Sequence, residues 1–220
     1  MSNGSVDILI QRAEVLLARN MNQAFALLDD AFSIAQKTGY KKGVAGTHYI
    51  RGLCYLHQNN YKKALTEFNE GLSLFAQVED KPGILKCLNK ISHIYFTLGD
   101  CPAALDYSFK SHRIYVEIND ERGVASSFNE LGKIYLCLLE HEKAIDHFRR
   151  ALKIYEAQKN KKEMISSYYL LGNAYNEMNE FEKAQYYLLR SINSFEILDD
   201  INIKVKTLES LAILHTKLKE

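Results

Sequence analysis

The side chains that could do chemistry in this 220-residue chain are seven histidines, four cysteines and one basic run. His141 and His147 lie six residues apart, without the HExxH pattern that places two zinc ligands on one helix face. Helical spacing favours Arg149-Arg150 with Lys153 as a solvated face rather than an anion site. No Gly-rich phosphate loop and no GxSxG motif occurs. The sequence therefore predicts no catalytic residue, no metal site and no cofactor.

The cysteines and the chain start bear on the cellular compartment. Cys54, Cys87, Cys101 and Cys137 form no CxxC pair, as zinc or redox motifs would require. Residues 1–7 are polar and resemble no signal peptide, and no apolar run approaches the roughly 20 residues of a membrane span. We therefore expect a cytoplasmic chain with reduced, mostly buried thiols and no membrane insertion.

The overall charge bears on the class of partner. The formal net charge is +1, and charged residues make up 25% of the chain. Nucleic-acid binding requires a clustered basic surface, and no forty-residue block is strongly basic. Apolar residues make up 47%, enough for a continuous core. The composition indicates a globular chain and argues against nucleic acid as its main partner.

A forty-residue repeat without insertion organises the whole chain. Three columns of equivalent residues define it: Ala24, Ala64, Ala104, Ala144 and Ala184; Tyr55, Tyr95, Tyr135, Tyr175 and then His215; and the small residues Gly52, Ser92, Gly132, Gly172 and Ala212. A fourth column is aromatic, with Phe75, Tyr115, Tyr155 and Phe195. A helical bundle without repeats would not hold this spacing over five units, so the pattern predicts a solenoid of stacked repeats.

Each unit is predicted to be a pair of helices. In residues 120–160, Asp120 can cap a first helix that runs to about Leu139, with apolar residues at three- and four-residue spacing. A turn near Glu140 and His141 leads to a second helix with the same periodicity. The small residue and the alanine of each unit let the two helices approach closely. One hairpin cannot bury its apolar stripe alone, so each leans on the next.

These columns resemble the tetratricopeptide repeat. Residues 128–151 supply its pattern in full, with Phe128, Leu131, Gly132, Tyr135, Ala144, Phe148 and Ala151. The third unit departs from it, with Ser92 for glycine and Ser108 for phenylalanine. The repeat here is also longer than the family's usual one, by six residues in each unit. This long form looks like the repeats of kinesin light chains, GoLoco-binding polarity adaptors, Rap-like bacterial regulators and the input domains of bacterial cyclases and kinases.

The resemblance implies an all-α fold, a right-handed superhelical solenoid of antiparallel helix pairs. We expect a single domain over residues 1–220, built from a degenerate unit 1–40, the units 41–80, 81–120, 121–160 and 161–200, and a half unit 201–220. The half unit, with a helix from Val205 to Leu218, is either a capping helix or the point where a longer protein has been cut. Leu208, Leu211 and Leu214 would leave apolar surface for another hairpin.

The resemblance also implies a binding groove, because the first helices of such units line the concave side. The matching positions are polar or aromatic: Tyr49, Lys86, Asn89, His93, Asn129, Lys133, Tyr169 and Asn173. Such a row can bond the backbone of an extended segment, while the tyrosines add apolar contact. The alternative is a solvated face without a ligand. Only scattered elements of the carboxylate clamp that recognises chain termini occur.

Two functional interpretations follow from this groove. The first is a non-enzymatic scaffold that binds a peptide or protein segment. The second is a regulatory input domain of a larger signalling protein, such as a cyclase, kinase or transcription regulator, truncated after Glu220. The terminal repeats could also support a homo-oligomer. The reading frame beyond Glu220 would discriminate between the two.

Overall fold

The structure, a computed structural model, describes residues 3–194 and 201–217. These residues form eleven α-helices and no strand, which confirms the all-α helical-repeat fold. The chain divides into two compact units, Met1–Ser111 and His112–Glu220. The single domain over residues 1–220 and the right-handed superhelix remain predictions.

The helices follow the predicted repeat, two to each repeat unit. They are α1 (Asn3–Leu16), α2 (Met21–Lys37), α3 (Lys41–His57), α4 (Tyr61–Gln77), α5 (Lys81–Thr97), α6 (Cys101–Glu117), α7 (Glu121–Cys137), α8 (His141–Ala157), α9 (Lys161–Glu177), α10 (Phe181–Asn193) and α11 (Ile201–Lys217). Odd-numbered helices are the first helices of their units, and even-numbered helices are the second. From α2 to α9 every helix has 17 residues.

One turn geometry joins the helices from α2 to α10. A residue with positive φ recurs at the end of each of these helices but the last, namely Gly39, Asn59, Glu79, Gly99, Asn119, Leu139, Lys159 and Asn179. After α3, for example, the Asn60 amide donates to the Tyr55 carbonyl and the Asn59 amide donates to the Leu56 carbonyl. This pair of bonds is the Schellman motif, which satisfies the last carbonyls of a helix. The true structural period is therefore one helix and its turn, which is half of the sequence repeat.

The residue that completes each turn often caps the next helix as well. The Asn60 side chain accepts a hydrogen bond from the Lys63 amide, and the Asp120 side chain accepts one from the Gly123 amide, which confirms the predicted cap. Asn20, Asp80, Asp100 and Asn160 do the same. Three residues thus end one helix and begin the next, so neighbouring helices must run antiparallel.

Two glycine–aromatic contacts hold the helices of a hairpin close together. A Cβ atom on Gly52 would stand 2.6 Å from the Phe68 ring, and one on Gly132 would stand 2.3 Å from the Phe148 ring. Both distances are far below contact range, so only glycine allows this approach. The alanine column is fully buried from Ala24 to Ala184, as predicted.

The third unit departs from this packing through a paired change. Ser92 replaces the glycine and Ser108 replaces the aromatic ring, and the two hydroxyls lie 2.9 Å apart. The Ser92 hydroxyl also donates to the Ala104 carbonyl at 2.9 Å. Both serines are buried, so the hydrogen bonds compensate for the loss of apolar contact.

The sixth first helix, α11, buries only part of the predicted surface. Leu211 and Leu214 are buried, whereas Leu208 is exposed, so only Leu208 leaves the apolar surface that the sequence predicts. Ala212 and His215 are exposed, because no described second helix packs on them. The predictions for Phe195 and for the end of the helix at Leu218 lie outside the described residues.

The cysteines only partly match expectation. Cys54 and Cys87 are free and buried, as predicted. Cys101 and Cys137 are disulfide-bonded, so the prediction of four reduced thiols is wrong for these two residues.

We predict that Leu139→Gly stabilises the protein by about 1 kcal/mol. Leu139 has φ 60° and its side chain is 75% exposed, so the change removes a left-handed strain and little packing. Leu139→Ala is the matched control, since it removes the same side chain and retains Cβ. In denaturant unfolding, the midpoint concentration of denaturant should rise for the glycine variant only. Equal midpoints for the two variants would show that the turn is unstrained.

We predict that Ala144→Leu costs about 1–3 kcal/mol of unfolding free energy, because Ala144 has no exposed surface and a larger side chain overpacks the hairpin. Ala212→Leu, at an exposed position on α11, should leave stability nearly unchanged. Thermal melts of the two variants give the comparison. A melting temperature for Ala144→Leu equal to that of the parent would contradict tight packing of the alanine column.

Candidate functional site

An open groove of about 420 Å³ lies in the compact unit Met1–Ser111, along α1, α3 and α5. Two predicted site residues, Tyr49 on α3 and Lys86 on α5, both line this groove. The Lys86 Nζ atom lies 5.7 Å from the centre of the Tyr49 ring, within the range of a cation–π contact. Ile10 and Ile50 add apolar surface. The structure therefore brings two of the predicted residues together in one cavity.

Charges of both signs border this groove. The Tyr40 hydroxyl donates to Asp7 at 3.0 Å, and Lys42 pairs with Asp80 at 2.8 Å. Glu14 and Lys86 are exposed, and neither forms an ion pair within the described part of the chain. An extended segment lying here would therefore meet an unpaired carboxylate on α1 and an unpaired ammonium on α5.

Tyr49 contributes a neutral ring to the groove. Burial, followed by the charge of the nearby Glu14 carboxylate, raises the pKa of Tyr49 to about 12. The hydroxyl is therefore protonated at neutral pH and can donate a hydrogen bond. The ring itself packs against Phe68, with the ring centres 5.7 Å apart. Its position is thus fixed by the core below it.

Asn89 and His93 extend the same face of α5 beyond the cavity. They follow Lys86 by three and seven residues, which places the three side chains in one row along the helix. Both side chains are exposed. In this compact unit, the structure thus places all four predicted residues on first helices of their repeats. Tyr49 and Lys86 lie in the groove, and Asn89 and His93 lie further along the row that starts at Lys86.

In the compact unit His112–Glu220, Asn129 is buried, which contradicts its predicted availability to a partner. It is 6% exposed, and its side-chain amide donates to the Ser167 hydroxyl at 3.1 Å. Ser167 is itself completely buried on α9. Sequence periodicity identifies buried positions by their apolar residues. Because Asn129 is polar, the periodicity could not distinguish it from a surface residue. Asn129 joins α7 to α9.

The other predicted residues of this compact unit, Lys133, Tyr169 and Asn173, are more accessible than Asn129. Lys133 pairs with Glu130, one turn earlier on α7, at 2.7 Å. Tyr169 and Asn173 are half-buried on α9 and lie four residues apart, on one helix face. The structure therefore places these three residues on first helices, each at least partly accessible.

The acids of α1 are groove residues that the sequence analysis missed. Asp7 and Glu14 are seven residues apart and lie on one helix face. They belong to the degenerate repeat unit 1–40, which lacks most of the family's pattern, so the resemblance gave no groove positions in it. The spacing of Asp7, Ile10, Gln11 and Glu14 is the one signal that could have found them, because it forms a single stripe on an amphipathic helix.

The histidines and cysteines that could bind a metal ion or act as nucleophiles do not line the groove. No group of three or more His, Cys, Asp or Glu that could hold a metal ion occurs in residues 3–194 and 201–217. Burial raises the pKa of Cys54 to about 11 and that of Cys87 to about 12, so both are neutral thiols at neutral pH. His141 lies 3.4 Å from Glu177, at the edge of a hairpin turn.

We predict that Asn129→Ala lowers the free energy of unfolding by about 1–3 kcal/mol, because Ser167 is left buried with an unsatisfied hydroxyl. Asn173→Ala, at a half-buried position on the neighbouring helix, is the matched control and should change stability by less than about 0.5 kcal/mol. Urea unfolding measures both. Equal losses would contradict the assignment of Asn129 to the core.

The comparisons with known proteins agree with this architecture. A family model described as tetratricopeptide repeat matches residues 43–115, 87–157 and 123–197, which together span most of the chain. A search of curated proteins finds no match.

Several solved structures share the fold. The apo form of RapI superposes with a TM-score of 0.83 at 20% identity, over 94% of this chain and 76% of that one. A signal transduction ATPase with numerous domains from Pyrococcus horikoshii, which has a tetratricopeptide repeat sensor, gives 0.84 at 17% identity, over 96% of this chain and 33% of that one. A putative kinesin light chain repeat protein from Podosopora anserina gives 0.74 at 15% identity, covering 89% and 97%.

Three lines of observation converge on one family. The described helices form antiparallel hairpins of nearly constant length, the family model matches residues 43–197 in overlapping stretches, and the structural neighbours include other tetratricopeptide repeat proteins. The chain belongs to the tetratricopeptide repeat family.

Proposed function

We propose that this protein is a non-enzymatic interaction module that binds a peptide or protein segment along the face of its first helices. One observation carries the proposal: Tyr49 and Lys86, chosen from the repeat positions alone, line the same open groove. A groove that combines an aromatic ring, apolar side chains and unpaired charges can hold an extended segment.

The groove also suggests the composition of the bound segment. Lys86 would attract an acidic residue, and Glu14 would attract a basic one. The Tyr49 ring and Ile10 would contact an apolar side chain between them. We therefore propose a segment with charges of both signs, rather than the purely acidic stretch that Lys86 and Lys133 alone would favour. Lys133 has less influence, since Glu130 already neutralises it.

The second candidate is a regulatory input domain of a larger signalling protein. It is favoured by the likeness to the Pyrococcus horikoshii protein, whose tetratricopeptide repeat unit is a sensor, and of which this chain covers 33%. In that case a ligand in the groove would act on an output domain. The reading frame after Glu220 tests this candidate directly, because it either encodes such a domain or stops.

Assembly and location are further parts of the proposal. Exposed apolar side chains on α1 and α11, among them Val15 and Ile201, support a homo-oligomer through the terminal repeats, which analytical ultracentrifugation would test. Among the described residues, no helix combines the length and apolarity that a bilayer span demands. The free thiols of Cys54 and Cys87 support a cytoplasmic location, whereas the bonded Cys101 and Cys137 favour oxidising surroundings. Cell fractionation would decide between the two.

We predict that a photo-crosslinking amino acid at Lys86 captures a defined peptide segment from an extract of the source cell, whereas the same group at Lys62 does not. Lys62 is exposed on a second helix and does not line the groove. The captured segment, once synthesised, should bind the full chain in calorimetry. Lys86→Glu should weaken that binding about tenfold, and higher salt should weaken it further.

Lys62→Glu is the matched charge control for this measurement and should change the affinity less than twofold. Equal capture at both positions, or an affinity that Lys86→Glu leaves unchanged, would contradict the groove as the binding site.

A further inference from the structure

A second open cavity, a trough, lies on the compact unit His112–Glu220, away from the predicted site residues Asn129 and Lys133. It measures about 650 Å³ and is lined by the end of α6, the first half of α7 and the second half of α8. Its apolar side chains are Val116, Val124, Phe128 and Ile154. On α7, Val124 and Phe128 lie one turn apart, on a different face of the helix from Asn129 and Lys133. This surface, which we call the α7 trough, is distinct from the proposed peptide face.

The floor of the α7 trough is packed against the core. The Phe128 ring lies between two imidazoles, with its centre 4.8 Å from that of His112 and 5.6 Å from that of His147. The His112 Nδ1 atom is in turn 2.7 Å from the Ser127 hydroxyl. Phe128 and Ile154 also pack on a buried cluster that includes Tyr155. A partner would therefore meet a preformed apolar surface.

The wall of the α7 trough carries the basic run that the sequence analysis assigned to solvent. The run divides: Arg149 turns towards α9, where it bonds the Tyr175 hydroxyl, whereas Arg150 and Lys153 line the trough. Arg150 is shared with Asp146 at 2.9 Å. Lys153 forms no ion pair within the described residues. A single acid, Glu121, also lines the trough. Of the two cations that line the trough, Lys153 therefore lacks a carboxylate partner within the described residues, whereas Arg150 already has one.

We propose that the α7 trough is a second docking site, which binds a segment of a partner protein that carries a large apolar side chain next to acidic residues. The apolar side chain would enter between Val116 and Phe128, and a neighbouring carboxylate would pair with Lys153. Charge complementarity selects this occupant, because an unpaired cation beside an apolar wall favours a carboxylate on an apolar ligand.

The openness of the trough favours a protein segment over a small amphiphile. Val116 is 51% exposed, and Lys153 and Ala157 are also exposed, so a small molecule would stay largely in contact with water. Small-molecule sites bury most of their ligand, whereas a helix or an extended chain can span an open trough and cover its rim.

Selection from a displayed library of random dodecapeptides on the full chain tests the proposal. Bound peptides are counter-selected against the double variant Val116→Ser with Lys153→Glu, which removes peptides bound elsewhere, including those on the first-helix face. Both changes are at exposed positions, so the fold should tolerate them. We expect enriched peptides with Asp or Glu close to Leu, Ile or Phe. Lys153→Glu alone should weaken their binding at least tenfold, while Lys206→Glu, on the exposed face of α11, should change it less than twofold.

Three results would overturn the proposal. The first is a library without enrichment, or with enriched peptides that bind the double variant as well as the parent. The second is binding of decanoate that perturbs the NMR signals of His112 and His147 without any peptide selection, which would assign the trough to a small amphiphile. The third is self-association of the chain that the double variant abolishes, which would assign the trough to a second copy.

Discussion

The turn that recurs after every helix from α2 to α9 is the constraint on which the rest of the structure depends. Each turn binds the carbonyl of a residue near the helix end, and that residue is aromatic in most cases, as at Tyr55, Phe75 and Tyr155. The same residue therefore fixes the helix length through its backbone and packs between helices through its ring. Because these helices all have 17 residues, the buried faces of successive helices stay in phase. The columns of small residues can meet their partners only under this condition.

The sequence predicted the fold well because its signals are apolar and periodic. The alanine column and the Gly132 position could be assigned from spacing alone, and both are buried as expected. The half-period was missed because the left-handed residues share no side-chain property: Asn59, Glu79 and Leu139 occupy equivalent places. Side-chain identity is a weak guide where the backbone hydrogen bonds alone impose a conformation.

The candidate site was predictable only in part, for a related reason. Polarity at a first-helix position does not say whether the side chain meets water or a buried partner. Lys86 is exposed in a groove, whereas the buried Asn129 side chain is hydrogen-bonded to Ser167. The basic run on α8 illustrates the converse, since Arg149 is tied to Tyr175 and Lys153 is left unpaired beside an apolar wall. Such divisions depend on neighbours that are distant in sequence, so they emerge only from the packed structure.

The serine pair at Ser92 and Ser108 has a consequence for how the protein opens. Water can replace the partner of a hydroxyl at low cost, but it cannot replace the contact of a buried ring with a glycine backbone. In a linear array each interface opens according to its own strength, so the weakest interface sets where the first break occurs. At the α5–α6 hairpin water can therefore take the place of a partner hydroxyl, whereas opening at Gly52–Phe68 or Gly132–Phe148 would expose a ring. The hairpin with the serine pair thus differs from its neighbours in what its opening exposes to water.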